Sequence, residues 1–262
     1  MFVTHPAFEM LTVSDLSVRL SLQREKVTSL REYLIKKLKG SIAPSDEFWP
    51  LRNVSFSVAR GEMFGVVGRN GAGKSTLLKV IAGVLRPFSG RVSVHGRIAP
   101  LLELGAGFDL ELTGRENTFL YGSLLGLSRR TIRERLPSIV EFTELQEFMD
   151  VPMRNYSTGM SSRLGFSIAM EADGDLLLID EVFAVGDAFF RKKCLQRIEG
   201  FQARGGTVIV VSHDTSLIKE RCHHALLLDH GKALLVGAPD QVVSEYLNFP
   251  FSSASFYRPP KG

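Results

Sequence analysis

Met63-Phe-Gly-Val-Val67 runs directly into Gly68-Arg-Asn-Gly-Ala-Gly-Lys74-Ser75, and the residues from Thr76 to Leu85 then repeat their apolar positions at helical spacing. A short continuous apolar run reads as a strand covered on both faces. G-x-x-x-x-G-K-[ST] between such a strand and a helix reads as a phosphate-binding loop. The reasons are steric and electrostatic. Glycines let successive backbone N–H groups turn inward where side chains would block the approach, and the helix N-terminus adds partial positive charge. Gly68, Asn70, Gly71, Ala72, Gly73, Lys74, Ser75 and Thr76 are the candidate nucleotide-binding residues. Lys74 would reach the β- and γ-phosphates, and Ser75 would offer its hydroxyl to Mg²⁺.

Leu176-Leu-Leu-Ile-Asp180-Glu181 is a second buried strand, ending in two carboxylates. At the C-terminal edge of a parallel sheet such groups face the same crevice as the phosphate loop. Asp180 would hold Mg²⁺, directly or through water. Glu181 would orient and polarise an attacking water, a role typically worth about 10²- to 10⁴-fold in rate. Thr207-Val-Ile-Val-Val211 is a third covered strand, whereas Val54-Ser-Phe-Ser-Val58 and Arg91-Val-Ser-Val94 alternate like half-exposed ones. Ala225 to Asp229, then His230-Gly231, then Lys232 to Val236 reads as a hairpin. Residues 113–170 are mostly helical: Thr113-Gly-Arg-Glu116 is a capping box, and further helices begin near Ser128 and Ser157. The fold class is α/β, a P-loop ATPase core with a mixed sheet, an antiparallel β portion and an inserted α-helical subdomain.

Composition agrees with that class. The 262 residues bound one large domain or two small ones, and 44% hydrophobic with 23% charged residues is ordinary for soluble globular chains. No apolar run approaches the roughly 18 residues of a membrane helix. Met1 to Ala7 lacks the basic start and long apolar stretch of a signal peptide. Two cysteines, Cys194 and Cys222, make no disulfide framework. These features read as a soluble, cytosolic protein.

The net charge is +4, and the excess sits in one place. Between residues 21 and 40, Arg24, Lys26, Arg31, Lys36, Lys37 and Lys39 oppose Glu25 and Glu32. A nucleic-acid binder spreads a basic stripe across a face, so no nucleic-acid partner is expected. Ser29-Leu-Arg-Glu32 is a capping box and Gly40 a helix stop, which makes 29–40 a basic amphipathic helix with Leu30, Tyr33, Leu34 and Leu38 on one face. Two readings stand. The helix lies at a membrane surface with its cations near anionic headgroups or a lipid pyrophosphate, or it docks by its leucines on the domain. Cys222-His223-His224 suggests a metal site only superficially, because adjacent histidines in an extended segment point to opposite sides.

Tyr156-Ser157-Thr158-Gly159-Met160 precedes a helix with apolar residues at Met160, Leu164 and Ile168. A serine and a glycine at a helix start make a second anion site. One nucleotide does not need two such sites in one chain; two chains that each offer the second site to the other's nucleotide do.

With these motifs the sequence resembles the nucleotide-binding subunit of an ABC transporter. Ser157, Thr158, Gly159 and Met160 resemble the signature motif, with Thr158 and Met160 in place of the usual Gly and Gln. Val211-Ser-His213-Asp214 resembles the switch-histidine segment, which implies that His213 contacts the γ-phosphate. Ala184-Val-Gly-Asp187 resembles the D-loop, which crosses the dimer interface at Asp187. Trp49, the single tryptophan, falls where the family places an aromatic that stacks on adenine, with Phe48 as the alternative. The family's glutamine before the helical region is missing from Leu101-Leu-Glu103-Leu-Gly-Ala-Gly-Phe108, and Glu103 takes that position.

This last stretch, together with Leu112-Thr-Gly-Arg-Glu-Asn117 and Asp180-Glu-Val-Phe-Ala-Val-Gly-Asp187, resembles the exporters of bacterial surface polysaccharides: O-antigen, capsule and teichoic acid. The resemblance spans residues 10–248 as one ABC-type ATP-binding domain, leaving 249–262 as a short tail. It implies a homodimer that sandwiches two ATP molecules with Mg²⁺, each copy completing the other's site in trans. It also implies integral-membrane permease subunits as partners, a peripheral place on the cytoplasmic face of the inner membrane, and export of a lipid-linked polymer, O-antigen foremost. The helix at 29–40 would match an element that such exporters carry beside the pore entrance. The stretch after His213 is too short for the carbohydrate-binding domain that some relatives add, so no lectin-like module is expected. A soluble ABC ATPase acting on DNA or ribosomes would need long heptad arms or a second phosphate loop, and a P-loop kinase would have no use for the signature segment.

Overall fold

The computed structural model describes residues 9–22, 46–102, 104–180 and 187–249. The basic segment 29–40, Glu103, Glu181 and the tail beyond 249 lie outside the described residues.

Strands β1 (Glu9–Leu22), β2 (Asp46–Ala59) and β4 (Ser89–Val94) form an antiparallel sheet in the order β2-β1-β4. A second sheet joins β5 (Ile98–Leu101), β6 (Leu176–Asp180), β7 (Thr207–Val211), β3 (Met63–Val67), β8 (His224–Asp229) and β9 (Lys232–Gly237), in that spatial order. All neighbours in it are parallel except the β8–β9 hairpin. The three covered runs of the sequence are therefore the adjacent central strands β6, β7 and β3. Strand parity divides their side chains between two cores. Phe64, Val66, Leu178, Ile209 and Leu226 join a cluster with the antiparallel sheet and the helix after the phosphate loop. Met63, Val67, Ile179, Val210 and Leu227 join one with the helical subdomain.

The alternating stretch Val54 to Val58 is only the end of the long strand β2, whose pairing with β1 runs from Glu9↔Ala59 to Leu22↔Asp46. Register shifts interrupt that pairing, with Asp15 and Asn53 in the left-handed region at φ 49° and 47°, and they break the period on which a strand is recognised. Helix α1 (Lys74–Ile81) starts two residues before the expected Thr76 and ends before Leu85, because the chain turns at Ala82 and Gly83.

Three helices occupy the inserted region: α2 (Gly114–Leu124), α3 (Arg129–Thr143) and α4 (Thr158–Ala169). Each starts where a hydroxyl caps it. Thr113 and Glu116 close a reciprocal capping box, Ser128 accepts from Thr131 N–H, and Ser157 accepts from Met160 N–H. The remaining helices are α5 (Ala188–Ala203), α6 (Thr215–Arg221) and α7 (Pro239–Asn248), the first two capped by Asp187 and Asp214. No helix among the described residues is long and apolar enough to cross a membrane.

Candidate nucleotide site

Parallel register brings the chemistry to one sheet edge. Val66 and Asp180 both pair with Val211, so the phosphate loop, the end of β6 and the Ser212-His213 segment leave adjacent strands on the same side. A cleft of about 600 Å³ opens there. Phe48 and Pro50 of β2 line it, together with Asn70, Gly71, Gly73, Lys74, Ser75, Thr76 and Asp180.

Gly68 and Ala72, also expected at the nucleotide, are buried and do not line the cleft. Lys74 Nζ donates to the Gly68 carbonyl at 2.8 Å and the Arg69 carbonyl at 3.1 Å, curling the loop around its own ammonium. Ala72 O accepts from Gly231 N–H at 2.9 Å, and Gly231 O accepts from Arg52 N–H at 2.7 Å. The β8–β9 turn thus ties the loop to β2. Gly73 caps α1 at φ 106°, and a Cβ there would lie 2.4 Å from the Pro50 carbonyl oxygen. A Cβ at Gly68 would lie 2.2 Å from Leu228 O. These two glycines are demanded by the flanking strands, before any phosphate is considered.

The two candidate aromatics sit differently. Phe48 lines the cleft, whereas Trp49 does not: it packs edge-on against Phe88 at 5.2 Å, with the Arg52 guanidinium 5.5 Å from its ring centre. Successive residues of a strand face opposite ways, so only one of the pair can look into the cleft.

His213 is exposed just past β7. Its neighbours fix the turn: Asp214 N–H donates to Ser212 Oγ at 3.0 Å, and Asp214 caps α6 through Ser216 and Leu217 N–H. Ser157 and Thr158 are exposed, Gly159 and Met160 half-buried, and none of the four lines the chain's own cleft. Asp187 caps α5, its Oδ1 accepting from Phe190 N–H at 2.9 Å. Among the described residues no group of His, Cys, Asp and Glu is arranged to hold a metal by itself. At the opposite end of the sheet, His224 Nδ1 meets Glu62 Oε1 at 2.6 Å and His223 Nδ1 accepts from Met63 N–H at 3.2 Å, so these histidines serve as strand-end partners.

Sequence reasoning gave no role to Pro50, whose carbonyl limits Gly73, or to Asn117. Asn117 is fully buried and donates to the carbonyls of Asp109, Leu112 and Thr113 while accepting from Asp109 N–H, which holds the chain's entry into α2. A buried asparagine with four bonds looks, in sequence, like any polar helix residue.

A parallel sheet that gathers a phosphate loop, a strand-end aspartate and a post-strand histidine at one edge, with a capped helical subdomain inserted before the aspartate, defines a P-loop ATP-binding cassette. The family model described as ABC transporter matches residues 51–184. The chain belongs to the ABC transporter family, as an ATP-binding domain. It is 48% identical over 199 residues to the ABC transporter protein AbcA of Aeromonas salmonicida, covering 76% of this chain and 65% of that one. It is 45% identical over 200 residues to the O-antigen export system ATP-binding protein RfbB of Klebsiella pneumoniae, covering 76% and 81%. It is 40% identical over 215 residues to the teichoic acids export ATP-binding protein TagH of Lactococcus lactis, covering 82% and 46%. The chain thus spans less than two thirds of the Aeromonas and Lactococcus relatives and about four fifths of the Klebsiella one. Among solved structures, an ATP-binding subunit of an ABC transporter superposes with TM-score 0.71 at 25% identity, over 93% of this chain and 95% of that one. A dimeric cassette in a post-hydrolysis state, bound to ADP and Pi, superposes with TM-score 0.70 at 19% identity, over 88% and 99%.

Proposed function

We propose that this chain is the ATP-hydrolysing subunit of an exporter of lipid-linked bacterial surface polysaccharide, O-antigen foremost. The likeness to the Klebsiella O-antigen export protein, over most of that protein's length, carries this reading. The likeness to a teichoic acid export protein supplies the second, export of that polymer by the same mechanism.

In this reading Phe48 stacks on the base, the loop N–H groups and Lys74 hold the phosphates, and Glu181, next in chain to Asp180, aligns the attacking water. The Ser75 hydroxyl and the Asp180 carboxylate share the cleft with Lys74. Hard oxygen donors beside a phosphate site suit Mg²⁺, which when bound neutralises charge on the β- and γ-phosphate oxygens. His213 would meet the γ-phosphate from the β7 edge. That Ser157 and Thr158 are exposed while no residue of the Ser157–Met160 turn lines the chain's own cleft supports a role in trans, at a second copy's nucleotide. Charge spread over the transferring phosphoryl makes such positioning the main catalytic device. Closure of two copies around ATP would drive a permease at the cytoplasmic face of the membrane, with the basic segment 29–40 against the lipid surface and Glu103 in the position that couples to the permease.

Glu181→Gln tests the reading. The variant is expected to bind ATP, to copurify with an integral-membrane partner, and to lose turnover by about 10²- to 10⁴-fold. A strain carrying it should retain completed polymer inside the cell. Wild-type hydrolysis would remove Glu181 from its role, and normal surface polymer would remove export.

A further inference from the structure

We infer that the outer face of the antiparallel sheet, where Trp49 meets the loop from Val84 to Phe88, is a contact surface for an anionic lipid bilayer. The inference deepens the exporter reading and rests on it only for why the chain meets a membrane. Val84-Leu-Arg86-Pro-Phe88 sets apolar and basic residues side by side in one loop. Val84 is 72% exposed and Phe88 52%. The backbone beneath them is nevertheless fixed. Val84 and Leu85 N–H both donate to the Lys79 carbonyl, at 2.9 and 3.1 Å, and Phe88 N–H donates to Ser17 O at 2.8 Å. No contact among the described residues buries these two side chains. Apolar exposure with a polar rim marks a surface that meets another body.

The rim says what that body is. The Arg19 guanidinium lies 4.2 Å from the centre of the Phe88 ring while donating to Glu47 at 3.0 Å. Arg52 stands beside Trp49, and Arg86 is exposed on the loop. Three arginines thus stand against one glutamate around a pair of aromatic rings. At a membrane interface such rings sit at headgroup level, and cations beside them meet lipid phosphate. The connection between β1 and β2 strengthens the case. The two strands end at the paired residues Leu22 and Asp46, only about 10 Å along the strands from Arg19 and Trp49. The chain that joins them carries Arg24, Lys26, Arg31, Lys36, Lys37 and Lys39 against Glu25 and Glu32. This excess disfavours two other occupants. The chain's own basic segment, and a second copy presenting the same face, would each bring like charge to the arginines. An anionic bilayer brings the opposite charge across the whole patch, each cation near it being worth about fivefold in affinity.

Trp49 is the single tryptophan and reports on the contact directly. The full chain without nucleotide is mixed with phosphatidylcholine vesicles holding about one third phosphatidylglycerol. Trp49 emission is expected to move to shorter wavelength and to be quenched by lipid spin-labelled at the headgroup. Pure phosphatidylcholine, or salt at about 0.5 M, should weaken binding at least tenfold. Arg86→Gln should weaken it about fivefold, and Val84→Ser and Phe88→Ser each about three- to tenfold. ATP turnover of the free chain should stay within about twofold of wild type in all three. Binding that leaves Trp49 unquenched and ignores these substitutions would put the lipid elsewhere and overturn the inference. A Trp49 shift absent with vesicles but present with the copurified permease in detergent would overturn it too, making the surface a protein contact. Should Phe88→Ser fail to melt cooperatively, Val84→Ser and Arg86→Gln carry the comparison. Failure to bind vesicles, in a chain whose Glu181→Gln variant blocks polymer export, sinks this surface alone. Vesicle binding as expected, with normal surface polymer in Glu181→Gln, sinks the exporter reading alone.

Discussion

Gly73→Ala isolates what the tertiary structure asks of the phosphate loop, with Gly83→Ala as its control. Both residues sit at positive φ, 106° and 74°. An L-residue in the left-handed region costs roughly 1–2 kcal/mol, partly offset by about 0.4–1 kcal/mol from the stiffer unfolded chain. Gly83 has no atom within 4 Å of an added Cβ, so its substitution should cost about 1 kcal/mol or less. At Gly73 the added carbon meets the Pro50 carbonyl oxygen at 2.4 Å and Leu51 Cδ2 at 3.0 Å. The first obstacle is backbone of β2, paired along its length with β1, so the loop and strand must separate. Overpacking of this kind costs typically about 1–3 kcal/mol, which brings Gly73→Ala to roughly 2–4 kcal/mol in all. At about 2–4 °C per kcal/mol for a domain of this size, nucleotide-free Gly73→Ala should melt roughly 4–16 °C below wild type and Gly83→Ala within about 4 °C. Melting of the two variants at the same temperature would refute the claim that the flanking strand, independently of phosphate, requires glycine here.

Two further outcomes follow from the site and the core. Phe48→Ala should raise the Kd for ATP about fivefold or more, since stacking of a base on an aromatic is worth about 1–3 kcal/mol. Trp49→Ala should leave that Kd within about twofold and lower the melting temperature instead; equilibrium binding with a fluorescent ATP analogue separates the two, and the opposite pattern would return the assignment to Trp49. Burial pushes the thiols of Cys194 and Cys222 up to about 12. The folded chain then holds protons that the unfolded chain releases, so this contribution is whole below the ordinary thiol value of 9.0 and is lost as pH rises toward 12. Neither thiol should react with iodoacetamide at pH 8 before denaturation, and replacing both with alanine should flatten the alkaline fall in stability. Rapid native alkylation would contradict their burial.

How much was legible depended on how local the physics is. Met63–Val67, Leu176–Asp180 and Thr207–Val211 announce themselves because strands covered on both faces carry unbroken apolar runs. Thr113, Ser128 and Ser157 mark helix starts because a cap satisfies N–H groups within three residues of itself. Strand β2 was legible only at its end, since the bulges opposite β1 belong to a pairing between segments distant in sequence. The choice between Phe48 and Trp49 was likewise closed to sequence, because strand parity says that they diverge but not which one faces the loop.

The sequence by itself determined the class of chemistry: a phosphate-loop motif, a strand-end aspartate and a capped helix start at Ser157, each encoded in fewer than a dozen consecutive residues. The tertiary structure decided which residues act together. Parallel register through Val211 brings the loop and Asp180 to one edge, Pro50 and Leu228 dictate glycines that the motif alone would assign to phosphate, and Arg163 finds Asp187 on another helix. Contacts of the first kind are closed by a few backbone torsions and leave a pattern in the string. Those of the second kind exist only after the chain has paired segments far apart, and no local pattern records them.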